Sequence, residues 1–287
     1  LRFSAERLKL SQRKQRRAAQ LLGSNHSVFK GRGLEFAEVR QYQGGDEIRH
    51  IDWRVTARTS VPHTKLFQEE KERPIILCLD QRQSMFFGSR HCFKSVMAAN
   101  VAALLGWTGL QNNDRVGGLI FNDSEHTEIR PRRSKRSVLH FIQSSIEYNS
   151  RLNAKTEVPA ASLDTAFEEL RRITKPGSTV FICSDFYGFD AAAVKNLHQI
   201  ARHNSVYCLC IRDPLEAELP ALGQFAVTNG SDTLRLQSGK KLSEFFNRAV
   251  SEEKHQRELH LLRSGIHLIN LSTDDHWQEV LRRELHL

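Results

Sequence analysis

No stretch of the 287-residue sequence approaches the ~18 consecutive apolar residues of a membrane-spanning helix. The basic N-terminus is not followed by an apolar core, so a signal peptide is not expected. Because the sequence begins at Leu1 rather than Met, an upstream segment, a membrane anchor among them, stays open. The phosphate loop G-x-x-x-x-G-K-[ST], a G-x-G-x-x-G after a strand, the G-x-S-x-G elbow and H-E-x-x-H are all missing, which removes the common enzyme signatures. The five cysteines contain no C-x-x-C pair: Cys78, Cys183 and Cys208 lie inside apolar runs and Cys210 ends one. They read as small apolar fillers in a reducing cytoplasm rather than zinc ligands. Thirteen histidines are scattered without a ligand cluster, and His255 and His260 lie five apart, off the facing spacing of a helix.

What is present is a basic chain of ordinary globular composition, 39% hydrophobic with a net charge of +9. The excess gathers at Arg13, Lys14, Arg16 and Arg17 and again at Arg130, Arg132, Arg133, Lys135 and Arg136. Neither run is interleaved with aromatics that could stack on bases, so solvated faces or a protein-docking surface is the first reading, with nucleic acid or acidic lipid as the alternative.

The organising stretch is Pro74 to Ser84, a short apolar run (Ile75-Ile76-Leu77-Cys78-Leu79) ended by Asp80 and a polar turn. Such a run reads as a buried parallel strand delivering its carboxylate to the carboxyl edge of a sheet, where open α/β sheets place their ligand sites. A helix is expected from about Lys94 to Gln111, then a strand over 116–121 with a short partner at 127–130, and helices near 133–148 and 161–173. The strand 178–185 echoes the first and again ends in a carboxylate, Asp185. A helix over 191–203, a strand over 206–211, a hairpin over 225–236, a charged helix over 242–262, a strand over 266–271 and a final helix from about 275 complete the series. Strands alternating with helices predict an α/β fold with a doubly wound, mostly parallel sheet over 74–287. Residues 1–73 read as a smaller piece: a basic helix or two ending at Gly23, then a β-rich or irregular segment from Gly31.

That segment carries the most distinctive line of the chain, Arg40 to Trp53 with Arg58 beyond it. Acids and arginines alternating around a Trp predict an ion-pair lattice in which Asp46, Arg49, Asp52 and Arg58 satisfy one another and Trp53 anchors the segment. A recognition surface is the competing reading. At the strand ends, Asp80, Asp185 and the hydroxyl of Ser84 form a hard-oxygen set suited to magnesium or manganese, while the same aspartates could equally cap helices or loop backbone.

Asp80-Gln81-Arg82-Gln83-Ser84 resembles the Asp-x-Ser-x-Ser opening of the metal-ion-dependent adhesion site of von Willebrand factor A domains, and Asp185 matches its later aspartate. The line with Arg40, Tyr42, Gly45, Asp46, Arg49, Asp52, Trp53 and Arg58 resembles a bacterial family called domain of unknown function fifty-eight, in which it precedes a von Willebrand A-like domain. The chain departs from the adhesion site where Arg82 replaces a serine and where Ala160, Ala161 and Ser162 stand in place of a threonine. A guanidinium does not deprotonate in proteins, so Arg82 is expected to take the cation's place by pairing with Asp80, Asp185 or both, leaving no magnesium site or a weak one. The resemblance implies a non-enzymatic adaptor that works with a MoxR-type AAA+ ATPase on a client protein. Its docking surface would be built at Asp80, Arg82, Ser84 and Asp185, with Arg82 receiving a partner carboxylate and the Ile-Asp-Trp line positioning or extending the surface. A divalent-metal-dependent hydrolase using Asp80 and Asp185, and a basic nucleic-acid or acidic-membrane binder, are the alternatives.

Overall fold

A computed structural model of the chain describes residues 34–69, 74–153, 162–228 and 233–285. The expected N-terminal helices and the positions Ala160 and Ala161 lie outside them. The described residues fall into two compact units, 34–69 and 74–285.

In the first unit β1 (Leu34–Gln41) pairs antiparallel with β2 (His63–Glu69), and α1 (Trp53–Thr59) lies between them in sequence. The turn after β1 needs its glycine: Gly45 has φ 112°, in a region L side chains rarely adopt. Asp46 closes that turn by accepting the Gln43 amide at 2.9 Å and pairs with Arg40 at 2.7 Å. Asp52 caps α1, its carboxylate accepting the amides of Arg54 and Val55 at 3.0 and 3.2 Å. The lattice expected from the alternating charges is therefore a different one. Asp46 and Asp52 each give one oxygen to backbone amides and turn the other to a cation, Arg40 and Lys65 respectively, and Arg49 sits near Glu47 at 3.6 Å. Trp53 does not anchor the segment, since it is 67% exposed.

The second unit is built on a six-stranded sheet. Its strands are β3 (Ile75–Asp80), β4 (Val116–Phe121), β5 (His126–Arg132), β6 (Thr179–Ser184), β7 (Ser205–Arg212) and β10 (His267–Ser272), in the order β10-β7-β6-β3-β4-β5. All neighbours are parallel except β4 and β5. The chain winds outward from β3 to β5, returns to the other side of β3 as β6, and winds out again, so strand order reverses at β3 and β6.

Both faces are covered, which is why β3 reads as an unbroken apolar run: Ile75, Leu77 and Leu79 enter one core, and Ile76 and Cys78 the other. On the first face lie α2 (Lys94–Gln111), α3 (Lys135–Arg151) and α8 (Trp277–Leu285); on the second, α4 (Leu163–Ile173) and α5 (Ala191–Ala201). Thirteen of the 18 residues of α2 are buried, so its sequence is apolar nearly all round. Past β7 come the short α6 (Pro214–Ala217), a hairpin of β8 (Gly223–Thr228) and β9 (Thr233–Ser238), and the 24-residue α7 (Lys240–Arg263). All five cysteines are free thiols, and burial pushes Cys183 up to about 12. No described helix is long and apolar enough to cross a membrane.

Candidate functional site: a neutralised carboxyl edge

The parallel register of β3 and β6, with Leu79 opposite Cys183, brings the ends of the two strands together. Asp80 is fully buried and Asp185 is 6% exposed. The side chain of Arg82 turns back into this edge instead of outward. Its Nη2 donates to Asp80 Oδ2 at 2.8 Å, its Nε donates to Oδ1 at 3.1 Å, and Nη2 stands 3.7 Å from Asp185 Oδ1. The Arg82 amide adds a bond to Asp80 Oδ1 at 2.9 Å, and the Ser184 hydroxyl donates to Oδ2 at 2.7 Å.

Lys94 is a second cation at the edge, outside the residues that carry the resemblance. Its ammonium is buried and donates to Asp185 Oδ2 at 2.8 Å and to Glu216 Oε1 at 2.7 Å. A signal for it did exist. Lys94 is the only charged residue of α2 and occupies its first turn, where the positive end of the helix dipole opposes it unless a carboxylate is at hand. Gln81, also fully buried, ties the edge to the helices: it donates to the Ser95 carbonyl at 3.0 Å and accepts from Asn149 at 3.0 Å. Asp213, at the end of β7, accepts from the Ser89 amide at 2.8 Å and the Thr273 hydroxyl at 2.7 Å, joining β7, β10 and the loop before α2.

These environments push the two aspartates apart. Burial raises Asp80 above the ordinary carboxylate range, and the charge and bonds of Arg82 only partly offset it. Burial acts on Asp185 in the same direction, but the charge and hydrogen bond of Lys94, the Tyr187 amide and Arg82 together outweigh it and hold this carboxyl low. Desolvation disfavours both cations, yet Asp80 for Arg82, and Asp185 with Glu216 for Lys94, leave each more firmly protonated than usual.

The donor set does not fit a divalent ion. Magnesium needs a near-octahedral shell of free oxygens, whereas both oxygens of Asp80 are engaged by Arg82 and both oxygens of Asp185 by Lys94 and the Tyr187 amide. Arg82 and Lys94 already bring two positive charges to the two aspartates. Ser84 does not join them: it lies in the turn Gln83–Met85, with its Oγ buried and without a hydrogen-bond partner. Ser162 caps α4 through the Asp164 amide at 3.1 Å. Nor is Arg82 a receptor for a partner carboxylate, because it is 2% exposed and its guanidinium is committed inward.

What the cluster controls is the loop after β6. Arg82 Nη2 donates to the Tyr187 carbonyl at 3.1 Å, and Asp185 accepts the Tyr187 amide at 2.9 Å. The backbone of Tyr187 is thus held on both sides while the residue stays 61% exposed.

Sheet order, helices on both faces and acidic strand ends at the reversal point define a doubly wound, mostly parallel α/β domain whose carboxyl edge is neutralised by its own side chains. Residues 38–257 match the profile of the family described as protein of unknown function DUF58, and the chain belongs to that family. Similar proteins include uncharacterized protein Rv1480 of Mycobacterium tuberculosis and uncharacterized protein Mb1516 of Mycobacterium bovis, each 29% identical over 269 residues, 92% of this chain and 82% of the relative. Among solved structures, the conserved hypothetical protein BatB from Bacteroides thetaiotaomicron aligns with a TM-score of 0.46 at 14% identity, covering 75% of this chain and 97% of that one. The SpRpn10 VWA domain aligns with a TM-score of 0.37 at 10% identity, over 74% of this chain and 94% of that one.

Proposed function

We propose that this chain is a non-enzymatic interaction protein of the bacterial cytoplasm that docks a protein partner on the carboxyl edge of its sheet. The observation that carries the reading is Tyr187, an exposed aromatic whose backbone is fixed by a buried ion cluster. Rigid aromatic side chains lose little conformational entropy on binding and are over-represented among the residues that dominate interface energies. Phe93, 42% exposed at the start of α2, belongs to the same edge. In this reading Asp80, Arg82, Lys94 and Asp185 shape the surface rather than touch the partner. Trp53 and Ile48, 67% and 68% exposed on the N-terminal unit, supply a second recognition face of their own. The partner is a MoxR-type AAA+ ATPase, which supplies the nucleotide chemistry absent from this sequence and acts with this chain on a client protein. Five free thiols support a reducing compartment.

The test is capture of that ATPase from extract of the native cell by wild-type and Tyr187→Ala protein, with magnesium and with chelator. Loss of a hot-spot aromatic corresponds to ~2 kcal/mol or more, a ~30-fold drop in affinity. Capture by wild type that persists in chelator and falls in the variant supports the reading. Capture that requires magnesium on the adaptor's side, or is untouched by Tyr187→Ala, contradicts it.

A further inference from the structure

Beyond the carboxyl-edge cluster, a cleft of about 160 Å³ lies between the loop after β6 and the second half of α7, lined by Phe186, Phe189, Glu253, Gln256, Arg257 and His260. Arg257 is 4% exposed, and its guanidinium is only partly satisfied. Nη1 donates to Glu253 Oε1 at 3.2 Å, while Nε is buried with no hydrogen-bond partner. Arg212, at the end of β7, reaches the same Glu253 oxygen at 3.5 Å. Two guanidiniums therefore share one carboxylate that is itself 62% exposed, and one positive charge is left over beside a cleft with apolar walls.

The aromatic wall is held in place by a costly backbone. Phe186 has φ 56°, a left-handed conformation that a bulky residue rarely adopts, and it is secured by the Ser184 hydroxyl, which accepts its amide at 2.9 Å. Its ring meets Phe189 edge to face, with centroids 5.8 Å apart. Arg257 lies on the inward stripe of α7, one turn before Leu261, and with Ser243 these are the buried residues of the helix.

We infer that this cleft binds a monocarboxylate attached to an apolar group, with Arg257 as the carboxylate receptor and Phe186 and Phe189 as the walls of the apolar part. A planar carboxylate matches the fork of a guanidinium and can take the unpartnered Nε together with a neighbouring N–H. One surplus positive charge is balanced by a monoanion, whereas a phosphate dianion would overshoot and meet Glu253. At ~30 Å³ for each water-sized group, the cleft holds about five such groups, enough for the end of a side chain or a small organic acid. Glu253, on the same helix one turn before Arg257, is the internal competitor that occupies the receptor until the ligand displaces it. This inference goes beyond the docking edge and does not depend on the ATPase partner.

The full-length protein is titrated by ligand-observed NMR with acetate, phenylacetate, inorganic phosphate and a short peptide ending in phenylalanine with a free carboxylate. The wild type should bind phenylacetate or the peptide saturably and more tightly than acetate or phosphate. Arg257→Gln should lower that affinity at least tenfold. Glu253→Gln, a change at an exposed position, should raise it severalfold by removing the competitor. Tighter binding of the peptide would assign the site to the end of a partner chain, and tighter binding of phenylacetate to a free acid. Absence of saturable binding, preference for phosphate, or unchanged affinity in Glu253→Gln would overturn the proposal, the last even if Arg257→Gln failed to fold.

Discussion

Replacing Lys94 with methionine keeps an unbranched stem in the core and removes the ammonium from Asp185 and Glu216. Glu216 is about one-third exposed and can rehydrate, but Asp185 cannot, with its side chain at 5% accessibility. Its remaining help is the Tyr187 amide at 2.9 Å and the guanidinium of Arg82, 3.7 Å away and already spent on Asp80. Breaking a buried pair by removing one partner costs ~3–5 kcal/mol, because the other charge is left uncompensated. With about 2–4 °C lost per kcal/mol in a unit of this size, the melting temperature of the second unit should fall by ~6–20 °C. Adding Asp185→Asn removes the stranded charge, so the double variant should recover most of the loss, a strongly non-additive cycle. Urea unfolding of the four proteins gives the free-energy loss and its non-additivity, and thermal unfolding the shift in melting temperature, each read by far-ultraviolet circular dichroism. A single-variant loss below ~1 kcal/mol, or additive losses in the double variant, would refute the claim that Lys94 neutralises a buried Asp185.

Acid titration separates the two aspartates. Asp185 has a lowered carboxyl in the folded state, so its contribution is present above the unfolded value near 3.8 and is lost as pH falls further; Asp185→Asn should flatten the acid limb of stability. Asp80 has a raised carboxyl, so its contribution is fully present below 3.8 and is lost as pH climbs through the raised folded value; Asp80→Asn should shift the balance toward neutral pH, the opposite change. Chemical unfolding at a series of pH values from about 3 to 7 reads both slopes, and parallel behaviour of the two variants would contradict the assignment. Gly118→Ala probes the sheet: a Cβ there would strike the Leu77 carbonyl oxygen and lie 2.9 Å from Phe141 Cε2, so a loss of ~1–3 kcal/mol from overpacking is expected in the same unfolding assay.

Local chemistry made much of the second unit legible. Apolar runs of strand length, turn residues after them and 3.6-residue periodicity identify the elements because each depends on neighbours in sequence, and Asp80 and Asp185 were visible as carboxylates ending two such runs. The ends of helices were less so: α5 stops at Ala201, and α4 begins at Leu163 behind its Ser162 cap. In the N-terminal unit the Gly-Asp turn and the acid before Trp53 were visible, but alternating signs do not say which charge meets which. Backbone amides, which no side-chain pattern displays, took one oxygen of each acid.

By itself, then, the sequence determined the alternating α/β architecture, the acidic strand ends and the positive charge that Arg82 brings beside them, since all three are written in contiguous residues. Only the tertiary structure decided where that charge points and what joins it. Lys94 meets Asp185 across 91 residues and Arg257 lines one cleft with Phe186 across 71, because parallel register and helix packing bring distant segments into one place. The same folding decides exposure: a guanidinium that reads as a surface receptor in the sequence is enclosed by the strands it neutralises, while Tyr187, unremarked in the sequence, is left facing solvent.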